Sequence, residues 1–198
     1  MHPWWLVLAA VGAVTLIASS AAARQPAIGP REIGVFHALN GLPDGLYPVL
    51  WLPMQLGNLV IGTLAGWAVA GAEGSWSVAV GVALATVLKL VIERGLRHRM
   101  APYLAVRQRP GTSQVGARLR GRVPVSGPSF PSGHVILVAA IGGVVAPHLA
   151  EVWWLLLVLV VVLVMVGRVY VGAHNPLDVT AGAGAGLVLG GIVAALAG

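Results

Sequence analysis

The chain has 198 residues, of which 58% are hydrophobic and 9% charged, with a formal net charge of +6 and no cysteine. Soluble domains are roughly 45–50% apolar and roughly 25% charged, so this composition excludes an ordinary soluble domain and points to one membrane-embedded bundle. The missing cysteines exclude disulfides, thiol catalysis and thiolate metal sites.

A membrane-spanning helix needs about 20 mainly apolar residues. Six such runs are predicted, at 3–23, 48–70, 75–93, 133–149, 152–171 and 177–197, within a single all-α domain over residues 1–198. The first ends in "ASSAAARQ", which resembles a signal-peptidase site but lacks a basic n-region, so it is expected to stay as a span. Six spans put the two long connections, 24–47 and 94–132, on one face and both termini on the other. Aromatic residues prefer the interfaces. Trp4, Trp5, Trp67, Trp76, Trp153 and Trp154 fall at the terminus-side ends, whereas Tyr47, Trp51, Tyr103 and Tyr170 fall with the long connections. The fourth run is short and rich in Gly and Ala, and "TAGAGAGLVLGG" in the last allows close helix contact.

Eight of the twelve basic residues lie between Arg94 and Arg122. Such a cluster suits a phosphate-bearing partner or an anionic membrane surface. A nucleic-acid partner is not expected, because the stretch is tied to spans and carries no recognition motif. Counted as topology markers, these arginines would lie in the cytoplasm; held for a ligand, they would not report orientation. Leu96, Met100, Tyr103 and Leu104 follow helical spacing, with Pro102 as a break. That predicts a short interfacial helix before the turn at 131–134.

In "VMVGRVYVGAHNPLDVTAG", residues 165–183, Arg168, His174 and Asp178 close an apolar run. Ionisable groups cost roughly 2.5–3.5 kcal/mol at mid-helix in a bilayer, so three together suggest a site. Asn175 can cap a helix and Pro176 suits its first turn. Asp178 would then reach back towards His174, in the orienting role a carboxylate plays beside a nucleophilic imidazole. A structural hydrogen bond is the competing reading of that pair. Arg168 adds a guanidinium suited to bidentate phosphate binding. In "SGPSFPSGHVILVAA", 126–140, Pro131, Ser132 and Gly133 form a turn and His134 opens a helix. Backbone N–H groups there, with the Ser132 hydroxyl, make an anion site, and His134 could protonate a leaving group. An ordinary capped turn is the alternative.

"PSGH" followed by "GRVYVGAHNPLD" resembles the second and third signatures of the type-two phosphatidic acid phosphatase superfamily, in its integral-membrane lipid phosphatase branch. The third signature there is Ser-Arg, five residues, His, three residues, Asp; Gly167 replaces the Ser. The resemblance implies that His174 is phosphorylated, that Asp178 orients it, and that His134 protonates the leaving group and then activates water. It further implies that Arg168, Ser132 and the Gly133 N–H hold the phosphoryl oxygens, with no metal and no cofactor. The first signature, Lys, six residues, Arg-Pro, is displaced: Lys89 matches its start, Leu96 stands where Arg is expected, and the next Arg-Pro is Arg109-Pro110. Lys89 and Arg109 therefore take the phosphate-binding roles, with Arg94 and Arg97 as competitors for the second.

Arg94, Arg107, Arg118, Arg120 and Arg122 are additional candidates for head-group contacts, with a solvated or lipid-facing basic strand as the competing reading of Arg118, Arg120 and Arg122. Glu32, Asp44 and Glu73 read as loop charges, and Glu93 has helical spacing to Lys89 and Arg97. The resulting expectation is a multi-pass phosphatase of the plasma (inner) membrane, its active site on the non-cytoplasmic face as the resemblance implies. Its partners would be the bilayer and a lipid phosphate or diphosphate. A polyprenyl diphosphate or polyprenyl-phosphate sugar phosphate is preferred over phosphatidic acid or phosphatidylglycerophosphate. The rivals are a lipid phosphotransferase using the same histidine and a non-catalytic phospholipid-binding or transport protein.

Overall fold

Apolar segments in a bilayer have no water to satisfy their backbone, so they close their hydrogen bonds within helices. The computed structural model, which describes residues 4–25, 27–103 and 107–197, follows that rule. Its helices are α1 (Trp4–Ala23), α2 (Pro30–Asn40), α3 (Tyr47–Met54), α4 (Leu59–Ala72) and α5 (Trp76–Met100), then α6 (Pro110–Ser113), α7 (Gly133–Val145), α8 (Val152–Tyr170) and α9 (Pro176–Ala197). Among the described residues there is no strand, only one antiparallel bridge between Gln108 and Pro128.

The all-helical expectation holds, whereas the count of six spans is not confirmed. Among the described residues four helices, α1, α5 with its trailing turn, α8 and α9, are long and apolar enough to cross a membrane. The run predicted at 48–70 is broken. Asp44–Gly57 and Leu59–Ala72 are bent by 75° and count as a fifth span only if taken together. The break is encoded locally. Pro53 lies inside α3, and the Asn58 side chain accepts from the Val60 and Ile61 N–H groups to start α4 afresh. The run predicted at 133–149 is a helix of only 13 residues followed by a 3₁₀ turn. It can be short because protein surrounds it: Val135, Ile136, Leu137 and Ala140 are fully buried among α4, α5, α8 and α9.

Among the described residues, 96–103 form no helix separate from α5, and the short α6 lies further on. Leu96 and Met100 continue α5, Tyr103 closes a 3₁₀ turn after it, and Leu104 lies outside the described residues, as does residue 3 of the first predicted run.

Helix α9 is the pivot, packed between α1 and α7. A Cβ at Gly184 would fall 2.5 Å from the Leu16 backbone N and 2.7 Å from the Gly12 carbonyl, so the α1–α9 approach requires glycine there. Trp4 and Trp154 meet at one end of the bundle, their rings 6.5 Å apart. The C-terminal ends of α5 and α8 and the N-terminal ends of α7 and α9 gather at the other.

Candidate active site

The link from Arg168 to His174 is set by how α8 stops. Gly172, at φ +75°, takes the left-handed conformation that ends a helix, and the Ala173 and His174 N–H groups both donate back to the Arg168 carbonyl. The five-residue gap between Arg and His is therefore one helix terminus folded on itself. Helix α9 then begins at Pro176, with Asp178 in its first turn. The Asn175 N–H donates to Asp178 Oδ2 at 2.8 Å, a cap formed by the carboxylate.

His174 is 2% exposed and Asp178 fully buried. The imidazole, however, does not hydrogen-bond the carboxylate directly. Nδ1 lies 2.8 Å from the Ser129 carbonyl and 3.9 Å from Asp178 Oδ2. An Nδ1–H donated to Ser129 leaves Nε2 as the free lone pair. Ser129 also donates its hydroxyl to Asp178 Oδ2, so one residue touches both partners. Burial pushes the His174 imidazole down to about 4, with the Arg168 charge adding to the effect and Asp178 opposing it. It is neutral at physiological pH.

Around this pair stand cations with unsatisfied donors. Ser132 Oγ, Arg97 Nε and Arg168 Nε are buried with no partner among the described residues. Orphaned donors of this kind, beside the uncapped N-terminus of α7, form a site for an anion. Arg109 donates to the Ala173 carbonyl at 2.8 Å, and burial, with the Arg97 charge, pushes its guanidinium downward without removing its charge. Glu93 bridges Lys89 and Arg97, each at 2.6 Å, and its carboxylate rests where a side chain on Gly133 would be. His134 lies within electrostatic range of Arg168, His174, Lys89 and Arg109.

A cavity of about 300 Å³ opens onto His134 and Arg168, with Tyr47, Trp51, Arg120 and Arg122 also on its walls. His174 sits behind this wall rather than on it. A wider recess of about 500 Å³ adjoins it, sharing Tyr47, Arg120 and Gly121 and adding Asp44 and Arg118. The turn between α3 and α4 gives Gln55 to the polar cavity and Leu56 to an apolar groove of about 220 Å³ between α4, α7 and α8.

His174, Asp178, His134, Lys89, Arg109, Ser132, Gly133 and Arg168 are thus brought to one end of the bundle. The additional arginines divide. Arg118 and Arg122 are exposed at the cavity mouth. Arg120 lines it but is spent on structure, donating to Asp44 and to the carbonyls of Asn40, Leu42 and Tyr170. Arg94 is exposed on α5. Arg107 is not a head-group contact at all: it is 2% exposed and holds Asp178 and Glu32. Glu32 is accordingly not a loop charge but a member of α2 whose side chain is only 8% exposed, and Glu93 is paired twice. Sequence reasoning passed over Ser129 and Gln114, which donates to the Asn175 side chain at 2.8 Å. Ser129 stood inside the quoted turn, but nothing local marks a carbonyl that will meet a histidine 45 residues away.

The model of a family described as the PAP2 superfamily matches residues 74–197. An undecaprenyl-diphosphatase of Sulfolobus acidocaldarius is 47% identical over 55 residues, 27% of this chain, and the match spans only 26% of that protein. Among solved structures, a PAP2-type phosphatidylglycerolphosphate phosphatase from Bacillus subtilis superposes with TM-score 0.72 at 21% identity, over 94% of each chain. Aquifex aeolicus LpxE superposes with TM-score 0.65 at 22% identity, over 81% of this chain and 92% of that one. At these identities the two structures show a shared fold.

Proposed function

Because the chain belongs to the PAP2 superfamily, we propose that it is a membrane lipid phosphatase working through a phosphohistidine at His174. The observation that carries this reading is the neutral, Ser129-anchored His174 beside three buried donors that lack partners. His174 Nε2 attacks phosphorus and the bond to the lipid oxygen breaks. His134, as the imidazolium that the negative charge of the bound phosphoryl group stabilises, gives that oxygen its proton. His134 then takes a proton from water, whose oxygen attacks the phosphohistidine, releasing inorganic phosphate and restoring His174. Arg168, Arg109, Lys89 and Ser132 hold the phosphoryl oxygens where negative charge builds up. Arg97, with its free buried Nε, joins them.

For the substrate, a lipid bearing two phosphates or a phosphate and a polar group fits the outer recess best. Arg122 and Arg118 stand beyond His134 where a second anion would lie. The stretch shared with an undecaprenyl-diphosphatase supports the same preference. The hydrocarbon tail leaves along the apolar groove that begins at Leu56.

Phosphate release in detergent from a panel of polyprenyl diphosphates, polyprenyl monophosphates, phosphatidic acid and phosphatidylglycerophosphate tests this proposal. Release from at least one class is expected, and release from none refutes hydrolysis. Arg122→Ala is expected to weaken a diphosphate substrate roughly two- to fivefold in KM, the range for an exposed charge pair, and a monophosphate less. Equal losses on both would remove Arg122 from the second-phosphate role. Ala65 lines the groove away from the ionic residues. Ala65→Trp should depress turnover of long-chain lipids while sparing a short-chain phosphate ester, and a parallel loss on both would place the tail elsewhere.

A further inference from the structure

Arg107 is the largest fully buried side chain among the described residues. Burying a guanidinium is costly unless every donor is met by an acceptor, preferably an anionic one. Two carboxylates meet this one. Its Nε and Nη2 donate to Asp178 Oδ1 at 3.1 and 2.8 Å. Its Nη1 and Nη2 donate to Glu32 Oε2 and Oε1 at 3.1 and 2.6 Å. Glu32 Oε1 also accepts the Leu177 N–H at 3.0 Å, tying α2 to the first turn of α9. The Phe130 ring, 6.0 Å from the guanidinium carbon, closes the site.

The division of Asp178 is informative. Oδ1 is taken by Arg107, while Oδ2 takes the Ser129 hydroxyl and the Asn175 N–H. The plane of the carboxylate is therefore fixed from both sides, with Oδ2 turned towards His174. Arg107 alone would cancel the negative charge it orients. Glu32 restores it, because two carboxylates and one guanidinium carry one formal negative charge between them. Neither clamp residue belongs to the recognisable signatures. Glu32 lies outside the residues matched to the superfamily, 74–197, and Arg107 lies in the stretch that separates Lys89 from the PSGH turn.

Resting on the phosphatase reading above, the geometry points to Arg107 and Glu32 as positioning residues that aim Asp178 at His174 and keep its negative field uncancelled. They touch neither substrate nor phosphoryl group. They act on the positive charge that develops on the imidazole as it is phosphorylated.

The test is a set of cycles in the full-length protein. Arg107→Lys keeps the charge and loses the fork; Glu32→Gln keeps the shape and one acceptor oxygen but loses the charge and the second acceptor. Each is expected to lower kcat about tenfold or more, the scale of a small misplacement at a reacting group, with KM within about twofold. In an Asp178→Asn background the same changes should have almost no further effect on kcat, because what they position is gone. A purely structural role predicts equal losses in both backgrounds, or a loss of folded protein without a kcat effect in what remains, and either overturns the inference. If Arg107→Lys does not fold, the Glu32→Gln and Asp178→Asn cycle decides alone. His174→Ala is run in parallel. If it retains activity, the phosphohistidine reading fails; if it is inactive while Glu32→Gln matches wild type, only the clamp fails.

Discussion

His174→Ala is expected to abolish phosphate release, by about 10⁴-fold or more, as removal of a covalent nucleophile does. The loss should be confined to kcat, because the donors that bind the phosphoryl group belong to other residues. A folding defect is separable, since the imidazole makes one strong contact, to the Ser129 carbonyl, and thermal unfolding in detergent should stay close to wild type. The protonation state gives an independent reading of the same residue. An ordinary imidazole, with a pKa of about 6.5, would be mostly protonated at pH 5.5 and unable to attack. With His174 held down to about 4, the attacking neutral form dominates until the pH falls to that value. The acid limb of kcat/KM, corrected for ionisation of the substrate, is therefore expected near 4, and a limb at 6 to 7 would argue that another imidazole limits the reaction.

Arg168→Ala comes next in size. Arg168 is half-buried, its buried Nε has no partner, and it lies on the cavity wall with His134. A preorganised donor of this kind acts on the transition state more than on the bound substrate. Its loss is expected to cost roughly 10²–10³ in kcat. Arg168→Lys should recover only part of this, because an ammonium cannot supply the planar fork. Arg94→Ala, on the exposed face of α5, should behave like wild type. Steady-state kinetics of the three variants with one lipid substrate checks the ranking, and an Arg94 variant as damaged as Arg168→Ala would reverse the assignment.

The residues that could be read in advance are those whose partners are close in sequence. Arg168, His174 and Asp178 are one helix end, one left-handed glycine and one helix start, so their spacing encodes their geometry. Ser132, Gly133 and His134 are likewise a single turn. Glu32, Arg107 and Ser129 were hidden for the opposite reason. Glu32 meets Arg107 across 75 residues and Ser129 meets Asp178 across 49, and no periodicity carries such pairings. Arg107 was read as a head-group contact because arginines are rarely buried, which holds only when no pair of carboxylates waits for one.

The spans show a similar split. Composition identified each apolar run, yet the break at Met54–Asn58 depends on Pro53 and on Asn58 as a cap, punctuation overridden by the hydropathy around it. The predicted interfacial helix failed because Leu96 and Met100 continue the phase of α5. Helical spacing alone cannot say where one helix stops.

The most direct test is to identify the phosphorylated residue. The protein is incubated briefly with a ³²P-labelled lipid phosphate that it hydrolyses, quenched in alkali to preserve a phosphoramidate, and digested for peptide mapping. Acid-labile label on His174, absent from His174→Ala, is the predicted result. Rapid turnover with the label on another residue, or with none on a protein trapped at early times, would contradict a phosphohistidine at this position.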